Sequence, residues 1–177
     1  MKRIALVFDC FGVLIHTVST SWAEEKPDFE EKKSELFTIF REGDLGNLNM
    51  DEVMERVAKL FNDDKDNVLS GWNRYAKPLE LANHLAELKE KYGIFLLSNA
   101  QSDFLKPILK KYDLIKYFDG IVISYDVRYA KPDKEIYEIM INMTKDYEKA
   151  LFFDDNKENV DASNRAGLKA FIYKDYT

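Results

Sequence analysis

Short apolar runs alternate with longer amphipathic stretches along this chain. The first run, Ile4–Phe8, is apolar at every position, which is typical of a parallel strand buried on both faces. Similar runs occur at residues 94–97, 121–123, 151–153 and 170–173. Apolar residues recur at helical spacing at residues 78–92, 103–112, 133–143 and 156–166. The alternation predicts an α/β fold with a doubly wound, mostly parallel sheet.

The stretch from residue 18 to residue 77 has a different pattern. It carries two charge-rich helical patterns, Phe29–Arg41 and Met50–Phe61, and no strand-like run. It is also too long to be a loop between a strand and a helix. We therefore predict a core made of residues 1–17 and 78–177, with a small helical insertion over residues 18–77 placed directly after the first strand.

Composition and charge exclude several classes of protein. The 177 residues are 46% hydrophobic and 33% charged, which rules out wholesale disorder. The net charge is −6 and no basic block is present, so we expect no nucleic-acid partner. No apolar run could span a membrane, and the run that ends at Asp9 is too short for an export signal. The single cysteine, Cys10, cannot form an internal disulfide, and a reducing, cytoplasmic location is expected.

Chemically capable residues follow four of the predicted strands. These are Asp9 after the first, Ser98 and Asn99 after the second, Lys131 in the loop after the third, and Asp154 and Asp155 after the fourth. Each taken alone has an ordinary structural explanation as a turn, cap or surface residue. Ligands of open α/β sheets, however, bind beyond the carboxyl ends of the strands. We therefore expect these side chains to lie together at one edge of the sheet.

Three neighbouring carboxylates need positive charge to remain ionised. Asp9, Asp154 and Asp155 repel one another unless a cation compensates them. Mg²⁺ prefers oxygen ligands and fits a site with few carboxylates. Together with Lys131 it would neutralise the cluster and allow a phosphate dianion to approach. The residues therefore predict a Mg²⁺ site.

In this order the residues resemble the four motifs of the haloacid dehalogenase-like (HAD) hydrolase superfamily. Residues 8–14 resemble the first motif, residues 97–99 the second, residues 131–137 the third and residues 153–156 the fourth. The insertion resembles the family's helical type-1 cap. The fourth motif resembles the branch of sugar phosphatases and epoxide-hydrolase N-domains. The resemblance implies a Rossmann-like core and a hydrolase, most simply one that acts on phosphoric monoesters.

The resemblance also implies a role for each residue. Asp9 would be the nucleophile and would form an aspartyl phosphate. Ser98 and Lys131 would hold the transferring phosphoryl oxygens, and Asn99 would also bind substrate. The ligands of Mg²⁺ would be Asp9, the backbone carbonyl of Phe11 and Asp155, while Asp154 would act through a water or through Lys131.

Position 11 departs from the family pattern. Most phosphatases of the family have a second aspartate here that protonates the leaving group, and Phe11 cannot transfer a proton. An aromatic residue at this position resembles the dehalogenase branch. The Asp154–Asp155 pair argues instead for a metal and hence for phosphate. His16, at the expected hinge of the insertion, is a candidate for binding substrate and supplying the proton.

The preferred function is therefore a Mg²⁺-dependent phosphatase of a small phosphorylated metabolite, acting as a monomer or small homo-oligomer. One alternative is a metal-independent 2-haloacid dehalogenase. The other is a weakly active or non-catalytic binding protein with the same fold.

Overall fold

One parallel sheet of five strands forms the centre of the computed structural model, which describes residues 3–174. In chain order the strands are β1 (Ile4–Phe8), β2 (Gly93–Ser98), β3 (Gly120–Ile123), β4 (Lys149–Asp154) and β5 (Lys169–Ile172). Their order across the sheet is β3-β2-β1-β4-β5, and every neighbouring pair is parallel. The predicted α/β class and parallel sheet are confirmed. The first two and last three residues of the predicted core lie outside the described residues.

Residues 18–77 lie in the chain between β1 and β2 and contain four helices. The helices are α1 (Ser19–Glu24), α2 (Phe29–Asp44), α3 (Met50–Phe61) and α4 (Lys65–Tyr75). The helical patterns predicted α2 and α3, although α2 continues past its predicted end at Arg41. The sequence did not predict α1 and α4. The division of the chain into a core and an insertion as separate domains stays a prediction.

The remaining helices cover the two faces of the sheet. They are α5 (Glu80–Asn83), α6 (Leu85–Lys91), α7 (Ser102–Lys111), α8 (Ser124–Val127), α9 (Lys134–Met143) and α10 (Lys157–Ala166), with a 3₁₀ turn at Ile115–Tyr117. The helical pattern over residues 78–92 corresponds to two helices, because the chain breaks at His84 into α5 and α6.

Alternate residues of β1 pack into two separate apolar clusters. Leu6 and Phe8 belong to the cluster that includes the buried residues of α1–α4. Ala5 and Val7 belong to the cluster beneath α9 and α10. Both faces of the strand are therefore covered, which explains why its sequence is apolar throughout.

The register of the sheet aligns the ends of its central strands. Phe8 of β1 pairs with Leu96 of β2 on one side and with Phe153 of β4 on the other. Residues that directly follow these positions therefore emerge side by side at the carboxyl edge. Within residues 3–174, no helix combines the length and apolar character needed to cross a membrane.

Candidate active site

Three carboxylates meet at the carboxyl edge of the sheet. Asp9, Asp154 and Asp155 each offer a carboxylate oxygen, and these atoms lie within 4.8 Å of one another. Asp9 and Asp154 are buried, whereas Asp155 is exposed. The backbone N–H of Asp9 donates to the Phe153 carbonyl at 2.9 Å, which continues the β1–β4 pairing to the site. The predicted convergence of these three residues is therefore found in the structure.

Lys131 bridges two of the carboxylates. Its Nζ lies 2.8 Å from Oδ1 of Asp9 and 2.7 Å from Oδ2 of Asp154, and its side chain is 1% exposed. Burial by itself would lower the pKa of Lys131, because it disfavours the charged ammonium. The negative charges of Asp154 and Asp9 together have the larger effect, so the pKa of Lys131 is raised. Burial also raises the pKa of Asp9 to about 7, although Lys131 opposes this shift. A single ammonium thus faces three carboxylates.

The two adjacent aspartates have different surroundings. Oδ1 of Asp154 accepts from the Asn156 N–H at 2.8 Å, and Asn159 Nδ2 lies 3.2 Å from each of its carboxylate oxygens. Asp154 is therefore fixed by protein groups and orients Lys131. Partial desolvation of its carboxylate by neighbouring groups and the charge of Asp154 raise the pKa of Asp155. The exposed carboxylate of Asp155 is the better placed of the two to accept a ligand.

Ser98 and Asn99, at the end of β2, make very different contacts. Asn99 holds the backbone of Lys131: its Nδ2 donates to the Lys131 carbonyl, and its Oδ1 accepts from the Lys131 N–H, both at 2.8 Å. Ser98 is fully buried, and its Oγ has no hydrogen-bond partner among the described residues. A buried hydroxyl without a partner is uncommon and suits a group that bonds to a ligand.

The loop after β1 is a tight turn. The Cys10 N–H donates to Oδ1 of Asp9 at 2.7 Å, and the Cys10 carbonyl accepts from Leu14 and Ile15. Gly12 has a φ of +87°, which favours glycine. The Phe11 backbone lies in this turn, and the role of its carbonyl as a metal ligand stays a prediction.

A cavity of about 190 Å³ lies between the helical segment and the core. Phe11 and Asn99 line it, so it adjoins the turn after β1 and the loop after β2. One wall is a chain of aromatic contacts. The ring of Phe11 stacks on Phe104 at 6.2 Å between centroids, Phe104 meets Trp72 at 5.5 Å, and Trp72 meets Phe40 at 5.7 Å.

Several polar residues of this cavity were missed at the level of sequence, among them Asp44 and Gln101. Asp44 lies at the end of α2, and Gln101 lies two residues after Asn99. Gly43 was the feature of the sequence that could have indicated them, because a glycine inside a helix often marks a close approach to another element.

The His16 side chain is exposed, and the residue does not line the cavity. The role of His16 in binding substrate and supplying the proton stays a prediction.

The chain is similar in sequence to known proteins. A family model described as haloacid dehalogenase-like hydrolase matches residues 5–167. The chain is 28% identical over 180 residues to the phosphorylated carbohydrates phosphatase of Thermotoga maritima, across 93% of this chain and 82% of that protein. It is 24% identical over 150 residues to the D-ribitol-5-phosphate phosphatase of Bacteroides thetaiotaomicron, across 75% and 70% of the two chains.

A solved structure shares the fold over nearly its whole length. It is a HAD family enzyme from Bacteroides thetaiotaomicron in complex with magnesium and inorganic phosphate. The TM-score is 0.76 at 23% identity, and the alignment covers 98% of this chain and 96% of that one.

Proposed function

Because the chain belongs to the haloacid dehalogenase-like hydrolases, we propose that it is a Mg²⁺-dependent phosphatase of a small phosphorylated metabolite. Its relatives named as phosphatases of phosphorylated carbohydrates and of D-ribitol 5-phosphate support this substrate class. The observation that carries the proposal is the cluster of Asp9, Asp154 and Asp155 around a single buried ammonium. The superfamily and the hydrolase class predicted from the motifs are confirmed by the family match.

The donor set fits a hard divalent cation. Its ligand atoms are carboxylate oxygens, which Mg²⁺ prefers, and the cluster carries more negative charge than Lys131 can balance. Asp9 and Asp155 would hold the ion together with the Phe11 carbonyl. When bound there, Mg²⁺ supplies positive charge against the transferring phosphoryl group.

The chain's own residues perform the rest of the reaction. The Asp9 carboxylate attacks phosphorus, the bond from phosphorus to the leaving oxygen breaks, and water then hydrolyses the aspartyl phosphate. The Ser98 hydroxyl and the Lys131 ammonium donate hydrogen bonds to the phosphoryl oxygens. Asn99 keeps Lys131 in place through its backbone. Such positioning and charge stabilisation are what phosphoryl transfer mainly requires.

The alternative of a 2-haloacid dehalogenase rests on one observation. Phe11 is aromatic and lines the cavity, and a halide leaves without needing a proton. However, a haloacid anion would have to approach three carboxylates with only Lys131 to offset them. The charge of the cluster therefore favours a metal and a phosphate ester. The third reading, a binding protein without turnover, would use the buried and unpaired Ser98 hydroxyl equally well, and only turnover distinguishes it from the phosphatase.

A requirement for Mg²⁺ distinguishes the phosphatase from the metal-independent dehalogenase. The purified protein is assayed against phosphorylated sugars and polyols and against 2-haloacids, each with Mg²⁺ and with a chelator. We expect phosphate release only with Mg²⁺ and no release of halide. Metal-independent release of halide, or no turnover of any substrate, would contradict the proposal. The expected cytoplasmic location and the expected monomeric or small homo-oligomeric state stay predictions.

A further inference from the structure

The cavity beside the carboxylate cluster contains an acid that the reaction described above does not use. Among the described residues that line it, Asp44 is the only one with an ionisable side chain. Neither oxygen of the Asp44 carboxylate has a hydrogen bond or an ion pair with any described residue. A carboxyl group in a largely apolar cavity is therefore free to contact whatever enters it.

Two arginines fix the segment that carries Asp44. Three residues before it, Arg41 donates to the carbonyls of Ala130 at 3.2 Å and Lys131 at 3.1 Å, and it pairs with Asp133. The residues after Asp44 are held by Arg128, which donates to the carbonyls of Leu45 and Gly46. The end of α2 is thus attached to the loop that presents Lys131 to the carboxylate cluster.

Gly43 brings the end of α2 against the loop after β2. A Cβ added at Gly43 would lie 2.3 Å from Nε2 of Gln101 and 2.8 Å from Cγ2 of Val53. No side chain fits between the helix and Gln101, so the backbone of α2 makes close contact with the core here. Asp44, the next residue, lines the cavity directly beside this contact.

We propose that Asp44 is the acid–base catalyst that replaces the carboxylate missing at Phe11. The inference rests on the proposed phosphatase function. It assigns the proton transfers to the helical segment rather than to the turn after β1. It also explains how a chain with Phe11 at this position can cleave esters whose leaving oxygen must be protonated.

Each step balances in atoms and charge. In the first step the Asp9 carboxylate forms a bond to phosphorus, the bond to the ester oxygen breaks with its electron pair, and the Asp44 carboxyl gives its proton to that oxygen, which leaves as an alcohol. In the second step the Asp44 carboxylate takes a proton from water while the water oxygen bonds to phosphorus. The bond between phosphorus and Asp9 then breaks, which releases phosphate and restores both residues.

The electrostatic surroundings of Asp44 suit both steps. Burial raises the pKa of Asp44 to about 7, and the charges of Lys131 and Arg41 limit this rise. Both protonation states are thus accessible near neutral pH, as a group that donates and then accepts a proton requires. The geometry of the cavity carries the assignment, and the pKa agrees with it.

Leaving-group dependence tests the assignment. Asp44→Asn keeps the size of the side chain and removes the transferable proton. We measure kcat/KM with Mg²⁺ for an alkyl phosphate and for 4-nitrophenyl phosphate, whose leaving group departs without protonation. We expect a loss of at least about 100-fold on the alkyl ester and less than about tenfold on the aryl ester. The aryl activity also reports that the variant is folded.

The matched control is Glu35→Gln, an exposed position on the same helix, which should leave both rates unchanged. An equal loss on the two esters would assign Asp44 to binding or to structure and overturn the proposal. An unchanged alkyl rate in Asp44→Asn would overturn it as well. A wild-type protein that hydrolyses neither ester would instead overturn the phosphatase function, and the role of Asp44 with it.

Discussion

The carboxylate of Asp155 lies directly against the α-carbon of Gly12. A Cβ added at Gly12 would come within 2.1 Å of Oδ2 of Asp155. The φ of Gly12 is +87°, so both the backbone conformation and the space require glycine. This contact links the turn after β1 to the turn after β4. It holds the proposed metal ligand Asp155 beside Asp9.

Gly12→Ala should weaken Mg²⁺ binding. The added methyl group displaces the Asp155 carboxylate, and disturbing the groups that orient a metal ligand costs about 10- to 100-fold in affinity. Isothermal titration of the substrate-free protein with Mg²⁺ measures the change.

The control is Gly167→Ala. Gly167 also has a positive φ, +98°, but a Cβ added there would meet no atom closer than Ile141 Cδ1 at 4.0 Å. This variant should lose stability and keep its Mg²⁺ affinity. Equal affinities in the wild type and Gly12→Ala would show that Asp155 does not hold the ion.

Two buried serines should respond oppositely to alanine substitution. Ser98 Oγ has no partner, so Ser98→Ala should leave the free energy of unfolding nearly unchanged while lowering phosphatase kcat/KM by at least about tenfold. Ser163 Oγ donates to the Leu168 carbonyl at 2.8 Å. Ser163→Ala should therefore lower the unfolding free energy by about 1–2 kcal/mol and keep the activity. Urea unfolding and steady-state kinetics on both variants check this. Full activity in Ser98→Ala would remove Ser98 from the phosphate site.

Much of the site could be predicted because its residues occupy simple positions in the chain. Asp9, Ser98 and Asp154 stand at the ends of apolar runs, and the parallel register makes those ends neighbours. The order of the strands was not predictable, since each run is equally apolar. That Lys131 is buried between two carboxylates depends on the Asn99 contact with its backbone, which no local pattern shows.

The helical segment was less predictable because its structure depends on tertiary contacts. α1 has only six residues, and α4 contains Gly71, which is unfavourable in a helix. A Cβ at Gly71 would lie 2.3 Å from the Trp22 ring, so the glycine is explained only once α1 packs on α4. Asp44 was overlooked for the same reason. Its sequence context is a charged helix end, and only the packed structure places it in the cavity.

The pH dependence of stability should reveal the environment of Asp44. Its pKa is about 7 in the folded protein and near the ordinary 3.8 in the unfolded chain. At Asp44 the folded state therefore binds more protons between these values, and the contribution of Asp44 to stability falls as pH rises from about 4 to about 7. The cations facing Asp44 are Lys131 and Arg41, and both are already included in this pKa.

Asp44→Asn removes this penalty. Compared with the wild type in chelator, the variant should have the same stability near pH 4. It should be more stable near pH 8 by at most about 4 kcal/mol. Urea unfolding at the two pH values measures the difference, and Glu35→Gln is again the control. A difference that does not grow with pH would show that Asp44 ionises as freely in the folded protein as in the unfolded chain.

The role of Asp9 is the most direct test of the proposed chemistry. Asp9→Asn keeps the size of the side chain and removes the charged nucleophile. The control is Asp146→Asn, an exposed position that precedes β4 at the opposite end of the strands. The measurement is the rate of Mg²⁺-dependent release of phosphate from 4-nitrophenyl phosphate. We expect Asp146→Asn to match the wild type and Asp9→Asn to lose at least about 1,000-fold. An Asp9→Asn rate within about tenfold of the wild type, about 1.4 kcal/mol of barrier, would contradict the assignment of Asp9 as the nucleophile.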